Sequence, residues 1–398
     1  MATTATTTPP DNPQDAVKAL AELEKARRGT LALVAALGED DLERVHSPIM
    51  SPLVWDLGHI AAYEDLWLAH RHGGLPLLRG ELANLYDAFE TPRAVRGEIE
   101  ALGASEARVY LKAVRARTAD VIARRGVGDG DVCEMVLRHE LQHTETMRQT
   151  LAIAGLLGAG EEAKIEQPLD PLGESEQWEE IPAGPFAMGA GPQGFAYDNE
   201  RPRHTVETAA FRIARRPVSC GSWMRFSEDG GYERREWWSQ EGWAWRQEHD
   251  ITHHPFLARA HPDAPACHLS WFEADAFARA HGARLPTEAE WEKAARWSIR
   301  TPGQDDGESA GAGCAGVLGA VGRVWEWTQT RFHAYPGFIA YPYREYSEVF
   351  FGDAYRVLRG GSWATSPRVA SLSFRNWDLP QRRQIFAGVR LARDGGEA

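Results

Sequence analysis

Apolar residues recur at three- and four-residue steps through roughly the first 160 positions, and beyond them that rhythm is lost. Between 14 and 37, Ala, Leu and Val keep the spacing of one helix face. A second helix is expected to open at Ser51-Pro52, a capping residue followed by proline at the first helical position, and it carries Leu53, Leu57, Ile60, Ala61 and Leu68. A third runs from near Ser105 to about Arg125. A fourth follows the turn Gly128-Asp129-Gly130, with Asp131 as N-cap and Glu134 three residues on, in the manner of a capping box. Four helices with short links predict a bundle.

Gly, Glu, Pro and Asp gather between about 160 and 178. Beyond this stretch Gly, Pro and Trp become frequent and only two good helical patterns remain, Phe272 to His281 and Thr287 to Arg296. The second places Thr287 as N-cap with Glu290 three residues later. The remainder predicts short strands in long loops, and no internal repeat is visible. The expected plan is α+β: a disordered tail at 1–13, a helical bundle at 14–160, a linker at 161–178, and an irregular domain at 179–398.

Composition narrows the class. Hydrophobic residues at 43% and charged residues at 25% allow full globular cores, and fifteen Trp suit pockets and irregular interiors. A formal net charge of −13 disfavours nucleic acid as a partner. No apolar run approaches the ~20 residues of a spanning helix, and the N-terminal stretch lacks the features of a signal peptide. Cys133, Cys220, Cys267 and Cys314 are widely spaced, with no CxxC pair. They suggest thiols in a reducing cytosol rather than a disulfide framework. A cytoplasmic protein, away from membranes and nucleic acid, is the expectation; oligomeric state is not legible.

The sharpest chemical pattern is Arg138-His139-Glu140-Leu141-Gln142-His143. Histidines four apart stand one above the other on a helix, a spacing that lets two imidazoles share a metal. Val132, Val136, His139, His143 and Met147 form one stripe, which predicts that the pair faces the bundle interior. His59, in Trp55-Asp56-Leu57-Gly58-His59, lies on the interior stripe of the second helix and is the candidate third ligand; His253 and His254 compete. The same segment also satisfies the HExxH pattern of zinc hydrolases, so spacing does not choose between iron and zinc.

The segments Ser51 to His59, Leu85-Tyr86-Asp87-Ala88-Phe89 and His139 to His143 resemble the DinB-like half of the hercynine oxygenases, the sulfoxide synthases of ergothioneine biosynthesis. The second half resembles their formylglycine-generating-enzyme-type domain, a C-type-lectin-like fold. Its marks are Ile181-Pro182-Ala183-Gly184, Asp198-Asn199-Glu200-Arg201-Pro202, Arg284 to Glu292, Val324-Trp325-Glu326-Trp327-Thr328, Leu358 to Trp363 and Gly388-Val389-Arg390-Leu391. The resemblance implies an O₂-dependent iron(II) enzyme with His59, His139 and His143 as ligands. It implies Gln142, Asn376 and Trp377 as contacts to hercynine (trimethylhistidine). It assigns Arg93, Arg96 and Asp378 to the donor, γ-glutamylcysteine or cysteine. Tyr343 becomes the proton donor, with Tyr341 and Tyr346 as competitors. The implied site lies between the two halves.

Other readings stand beside these. Arg93 and Arg96 also fit a solvated helix edge, Asn376 a turn and Trp377 a core position. Trp327 and Trp363 read as core, and Asp198 and Glu200 as turn caps rather than ligands of a lectin-like binding module. The middle segment, 297–320, is Gly- and Ala-rich and shorter than the family's. It keeps open a related enzyme, a selenoneine synthase that uses a selenosugar. A DinB-like zinc thiol S-transferase is the further alternative. A formylglycine-forming enzyme fits poorly, for want of paired C-terminal cysteines.

Overall fold

The computed structural model describes residues 13–165, 167–168, 177–254, 260–299 and 317–395. Residues 1–12 of the expected tail, 169–176 of the expected linker, Cys314 and most of the 297–320 segment lie outside the described residues. The chain divides into two compact units, Met1–Leu157 and Gly158–Ala398.

The first unit contains α1 (Pro13–Leu33), α2 (Glu39–Glu43), α3 (Leu53–Glu64), α4 (Ala104–Arg125) and α5 (Asp131–Ala154). The long helices fall where the periodicity placed them, but two of the expected caps are not used. Pro52, not Ser51, occupies the N-cap of α3. The Ser51 hydroxyl instead accepts from Arg96 Nη1 at 2.9 Å. The N-cap of α5 is Gly130, with φ 83°. Asp131 is therefore the first helical residue, and Glu134 pairs with Arg138 at 2.8 Å instead of closing a box. After Glu64 the helix widens into a π-helical run, Asp65–His72, in which Gly73 N–H reaches Leu68 O at 2.9 Å.

α3 packs against α4 and α5, and α1 against α5. Each of these four helices sends one charged side chain into the middle. Arg27 of α1 bonds Glu64 of α3 and Glu140 of α5, both at 2.8 Å. Arg115 of α4 bonds the same two carboxylates at 2.8 and 3.3 Å, and Thr30 Oγ1 donates to Glu140 at 2.8 Å. Buried charges are costly unless paired and hydrogen-bonded, and here both conditions are met. Burial pushes the Glu64 carboxyl up, yet Arg27 and Arg115 outweigh it and hold its pKa below the ordinary value.

The second unit opens with α6 (Ala159–Ile165), so residues 161–165 are helical, and continues through β1 (Trp178–Ile181), β2 (Gly184–Met188), β3 (His204–Thr208) and β4 (Phe211–Ala214). Then come α7 (Cys220–Glu228), α8 (Gln240–Glu248), α9 (Trp271–Ala280) and α10 (Glu288–Ile299). The chain ends with β5 (Trp325–Arg331), β6 (Arg356–Arg359), β7 (Asn376–Asp378), β8 (Ala387–Gly388) and β9 (Ala392–Asp394). The sheets run β1-β4-β9, β2-β3 and β7-β6-β5-β8. α9 and α10 were expected; α7 and α8 were not. Both are nine residues long and are capped by Ser219 and Ser239. Too few turns were present for a helical period to stand out from the surrounding Trp-rich sequence.

The segments that carried the resemblance do their work as buried ion pairs. Thr287 and Glu290 form the expected reciprocal cap, Oγ1 accepting from Glu290 N at 3.0 Å and Oε2 from Thr287 N at 2.8 Å. On α10, Glu288 holds Arg375 through two bonds of 2.9 Å, and Glu292 pairs with Arg359. Trp291 Nε1 donates to Glu326 at 2.6 Å, and Arg390 grips Glu326 at 2.7 and 2.8 Å. Planar guanidinium–carboxylate pairs of this kind fix orientation as well as register. They tie α10 to β5, β6 and the strand ends of the main sheet. Trp327 is fully buried, as expected, and Trp363 half-buried.

Candidate metal centre

His59, His139 and His143 come together in the first unit, each offering a ring nitrogen within 4.8 Å of the others. His59 Nε2 and His139 Nε2 are 3.0 Å apart. α3 supplies His59, and successive turns of α5 supply the other two. His59 is buried, whereas His139 and His143 are half-buried. Of the expected interior stripe of α5, Val136 and Met147 are buried, while Val132, His139 and His143 are half-buried. Cys133, Leu137, Glu140 and Thr144, one step round the helix, are buried as well. The histidines meet His59 of α3.

Two neighbours fix which nitrogens are available. His59 Nδ1 lies 2.6 Å from the carbonyl oxygen of Tyr86. A carbonyl only accepts, so Nδ1 carries the proton and Nε2 keeps its lone pair. His143 Nδ1 lies 2.9 Å from Asp56 Oδ1, and the same argument frees its Nε2. Stacking holds the ring planes: Trp55 on His59 at 4.8 Å and Tyr63 on His139 at 3.7 Å. Burial first, then the neighbouring imidazoles, push the pKa values of His59 and His139 well below the ordinary histidine value. Neutral rings with convergent lone pairs are what a divalent metal needs. Asp56 Oδ2, buried and without a hydrogen-bond partner, adds an uncompensated acceptor beside the cluster. The residues present fit a bound metal.

Glu140 settles the HExxH question. It sits one residue from His139, but a step of one turns a helical side chain by about 100°. Its carboxylate points into the bundle and is consumed by Arg27, Arg115 and Thr30. It is a structural anion, not the general base of a hydrolase.

Gln142 is half-buried, one position before His143. Arg93 opens a 3₁₀ turn (Arg93–Val95) and is half-buried. Arg96 is buried and largely committed: Nε donates to Thr91 O at 2.9 Å, Nη1 to Ser51, and Nη2 to Ala88 O at 3.3 Å. Its guanidinium also lies 3.6 Å over the Trp55 ring, so Arg96, Trp55 and His59 form a continuous stack. Burial and the nearby Arg93 lower the Arg96 pKa to about 10. The edge-of-helix alternative does not describe this residue.

In the second unit Asn376, Trp377 and Asp378 form β7. Trp377 stacks on Phe332 at 4.2 Å and meets the edge of Tyr346 at 5.8 Å. Asn376 Oδ1 accepts from Trp377 N at 2.9 Å, and Asp378 Oδ1 accepts from Leu379 N at 2.8 Å and lies 3.5 Å from Arg382 Nε. Tyr343 meets Tyr346 edge-on at 6.3 Å, and Tyr341 is exposed. His254 is buried and bonds His268 O at 3.0 Å; neither it nor His253 belongs to the histidine cluster.

Sequence reasoning overlooked the groups that orient the ligands. Asp56 and Tyr63 stand three residues before and four after His59, on one helical face, and that spacing was the available signal. The Tyr86 carbonyl left none, because a backbone acceptor has no residue signature.

A helical bundle presenting three convergent imidazoles, two of them tautomer-locked, followed by an irregular α+β unit built on buried ion pairs, defines a metalloenzyme of two joined modules. Comparison with known proteins agrees. The DinB superfamily matches residues 22–147, and the sulfatase-modifying factor enzyme 1-like domain matches 170–311 and 308–395. The chain is 42% identical to the hercynine oxygenase of Mycobacterium tuberculosis, across 94% of this chain and 97% of that one. It is 40% identical to the hercynine oxygenase of Mycolicibacterium smegmatis, across 94% and 98%. Ergothioneine biosynthesis protein 1 of Schizosaccharomyces pombe is 27% identical over 50% of this chain and 28% of its own. The chain belongs to the hercynine oxygenase family, and it is an oxygenase acting on small molecules. Among the described residues no helix is long and apolar enough to cross a membrane.

Proposed function

We propose that this enzyme couples a thiol to the imidazole C2 of hercynine at an iron(II) centre, consuming O₂ and giving a hercynine sulfoxide conjugate. The observation that carries the reading is the His59, His139 and His143 cluster, with protons locked on the far nitrogens by Tyr86 and Asp56. Iron(II) held by these three rings would supply the redox chemistry that O₂ requires, whereas zinc would bind a thiolate but has no redox chemistry.

The remaining roles follow from residue chemistry. A trimethylammonium group donates no hydrogen bonds, so amide oxygens of Gln142 and Asn376 and the face of Trp377 are suited to it. Arg93, Arg96 and Asp378 are assigned to the donor's carboxylates and amine. Arg96 already spends three donors on Thr91, Ser51 and Ala88, so Arg93 carries the larger share of that binding. Tyr343 is assigned as the proton donor that steers the outcome toward C–S bonding rather than thiol oxidation.

The commitment of Arg96 also favours one second reading, in which the donor is a selenosugar and the product has a C–Se bond. Purified enzyme, loaded anaerobically with iron(II) or zinc(II), is to be offered hercynine with γ-glutamylcysteine, cysteine or the selenosugar, followed by O₂ uptake and product mass. The primary reading requires turnover with iron and a thiol. Turnover with the selenosugar alone replaces it by the second, and thiol transfer with zinc and no O₂ uptake overturns both.

A further inference from the structure

The 3₁₀ turn Asp198–Glu200 is buried throughout, at 4%, 1% and 1% exposure. It grips the Tyr341–Ser347 segment at both ends. Asp198 Oδ2 accepts the Tyr341 N–H at 3.3 Å, and Asp198 Oδ1 accepts the Ser347 hydroxyl. Asn199 Nδ2 donates to the same Ser347 oxygen at 3.0 Å. Just before the turn, the Tyr197 ring stacks on Tyr346 at 4.3 Å with 9° between planes. The turn also holds the approach to β7: Ser373 Oγ donates to Glu200 at 2.6 Å, and Arg375 Nη1 to Asn199 O at 2.8 Å. One buried turn therefore fastens the segment carrying Tyr343 and the strand carrying Asn376 and Trp377.

Ordinary turn capping explains only part of this. Glu200 does cap, accepting from Tyr197 N at 2.9 Å. The Asp198 carboxylate has two partners 143 and 149 residues away, both in the tyrosine segment. Without it, Tyr341 N–H and the Ser347 hydroxyl lose their shared acceptor, the one group that ties the two ends of the segment to a single point.

We propose that Asp198 is a positioning residue, whose carboxylate sets the Tyr341–Ser347 segment and thereby the placement of Tyr343, which meets Tyr346 within it. The inference rests on the assignment of Tyr343 as proton donor, but its structural half stands on the clamp alone. Asp198 acts through the tyrosine and touches no substrate.

The test uses the full-length iron enzyme and three variants, Asp198→Ala, Asp198→Asn and Ser347→Ala. Hydrogen exchange followed by mass spectrometry is expected to quicken about tenfold in peptides covering 341–347 of the Ala variants, with the rest of the second unit unchanged. A displaced catalytic group costs up to about 100-fold in rate, so kcat falls while KM for hercynine holds, and the product shifts toward oxidised thiol. Asp198→Asn, which keeps one acceptor, falls between. On a Tyr343→Phe background Asp198→Ala adds no further loss. Unchanged exchange at 341–347 overturns the clamp, as does a raised KM with kcat intact. If Asp198→Ala does not fold, Ser347→Ala carries the same expectation and the same refutation. If Tyr343→Phe alone leaves rate and product ratio intact, the tyrosine assignment fails, while the exchange result still judges the clamp.

Discussion

The carbonyl oxygen of Tyr86 stands 2.6 Å from Nδ1 of His59, and the ring of the same tyrosine covers Gly58, the residue before that histidine. One residue in a loop thus fixes both the tautomer of a ligand and the surface of the helix that bears it. A Cβ on Gly58 would fall 2.1 Å from Tyr86 Cζ. Gly58→Ala is expected to push the tyrosine aside, at about 1–3 kcal/mol of stability, as overpacking does. Iron affinity is expected to weaken with it. Thermal melts and anaerobic iron titration check both; an unchanged affinity would separate the Tyr86 carbonyl from His59 function.

Asp56 does for His143 what Tyr86 does for His59. Asp56→Ala removes the acceptor that holds the proton on Nδ1. Loss of such a partner typically costs about 10–100-fold in metal affinity, and that is the expected drop. Circular dichroism should remain that of a folded bundle.

Glu140→Ala leaves Arg27 and Arg115 with Glu64 as their shared buried carboxylate. Breaking a buried pair from one side costs about 3–5 kcal/mol. The first unit is expected to melt early, while the folded fraction still binds iron. A Glu140→Gln protein of full stability and no turnover would instead make Glu140 catalytic.

Acid should weaken the second unit through two buried histidines. Burial is the main cause that lowers His254 to about 4 and His268 to about 3, with Arg383 pressing further on both. Unfolded histidines titrate near 6.5. Above that pH both states are neutral and nothing is lost. As pH falls from about 6.5 toward 4 the unfolded chain takes up protons first, so stability declines across that window. His268 has φ 62°, a conformation asparagine tolerates. His268→Asn should keep the fold and make the decline of Tm between pH 6.5 and 4 shallower; an unaltered slope would remove His268 from the account.

Much of the bundle was legible because its helices are long enough for a 3.6-residue period to stand out, and because histidines four apart on one of them already point together. His59 was legible from its place among apolar residues, since α3 is buried without a break from Leu53 to Ala61. α7 and α8 were not, being too short for a period to build. The caps misread at Ser51 and Asp131 have separate causes. Their sequence pattern was right, but Arg96 claims the serine hydroxyl and a left-handed Gly130 takes the cap position.

The sequence by itself determined the helices, the histidine spacing and the two-module order, since each of these is set by residues within a few turns of one another. Only the tertiary structure decided which imidazole nitrogens carry protons, that Glu140 serves the bundle rather than a reaction, and that Asp198 holds a segment more than a hundred residues away. Those outcomes depend on acceptors brought from distant parts of the chain, and local spacing carries no record of where a fold will deliver them.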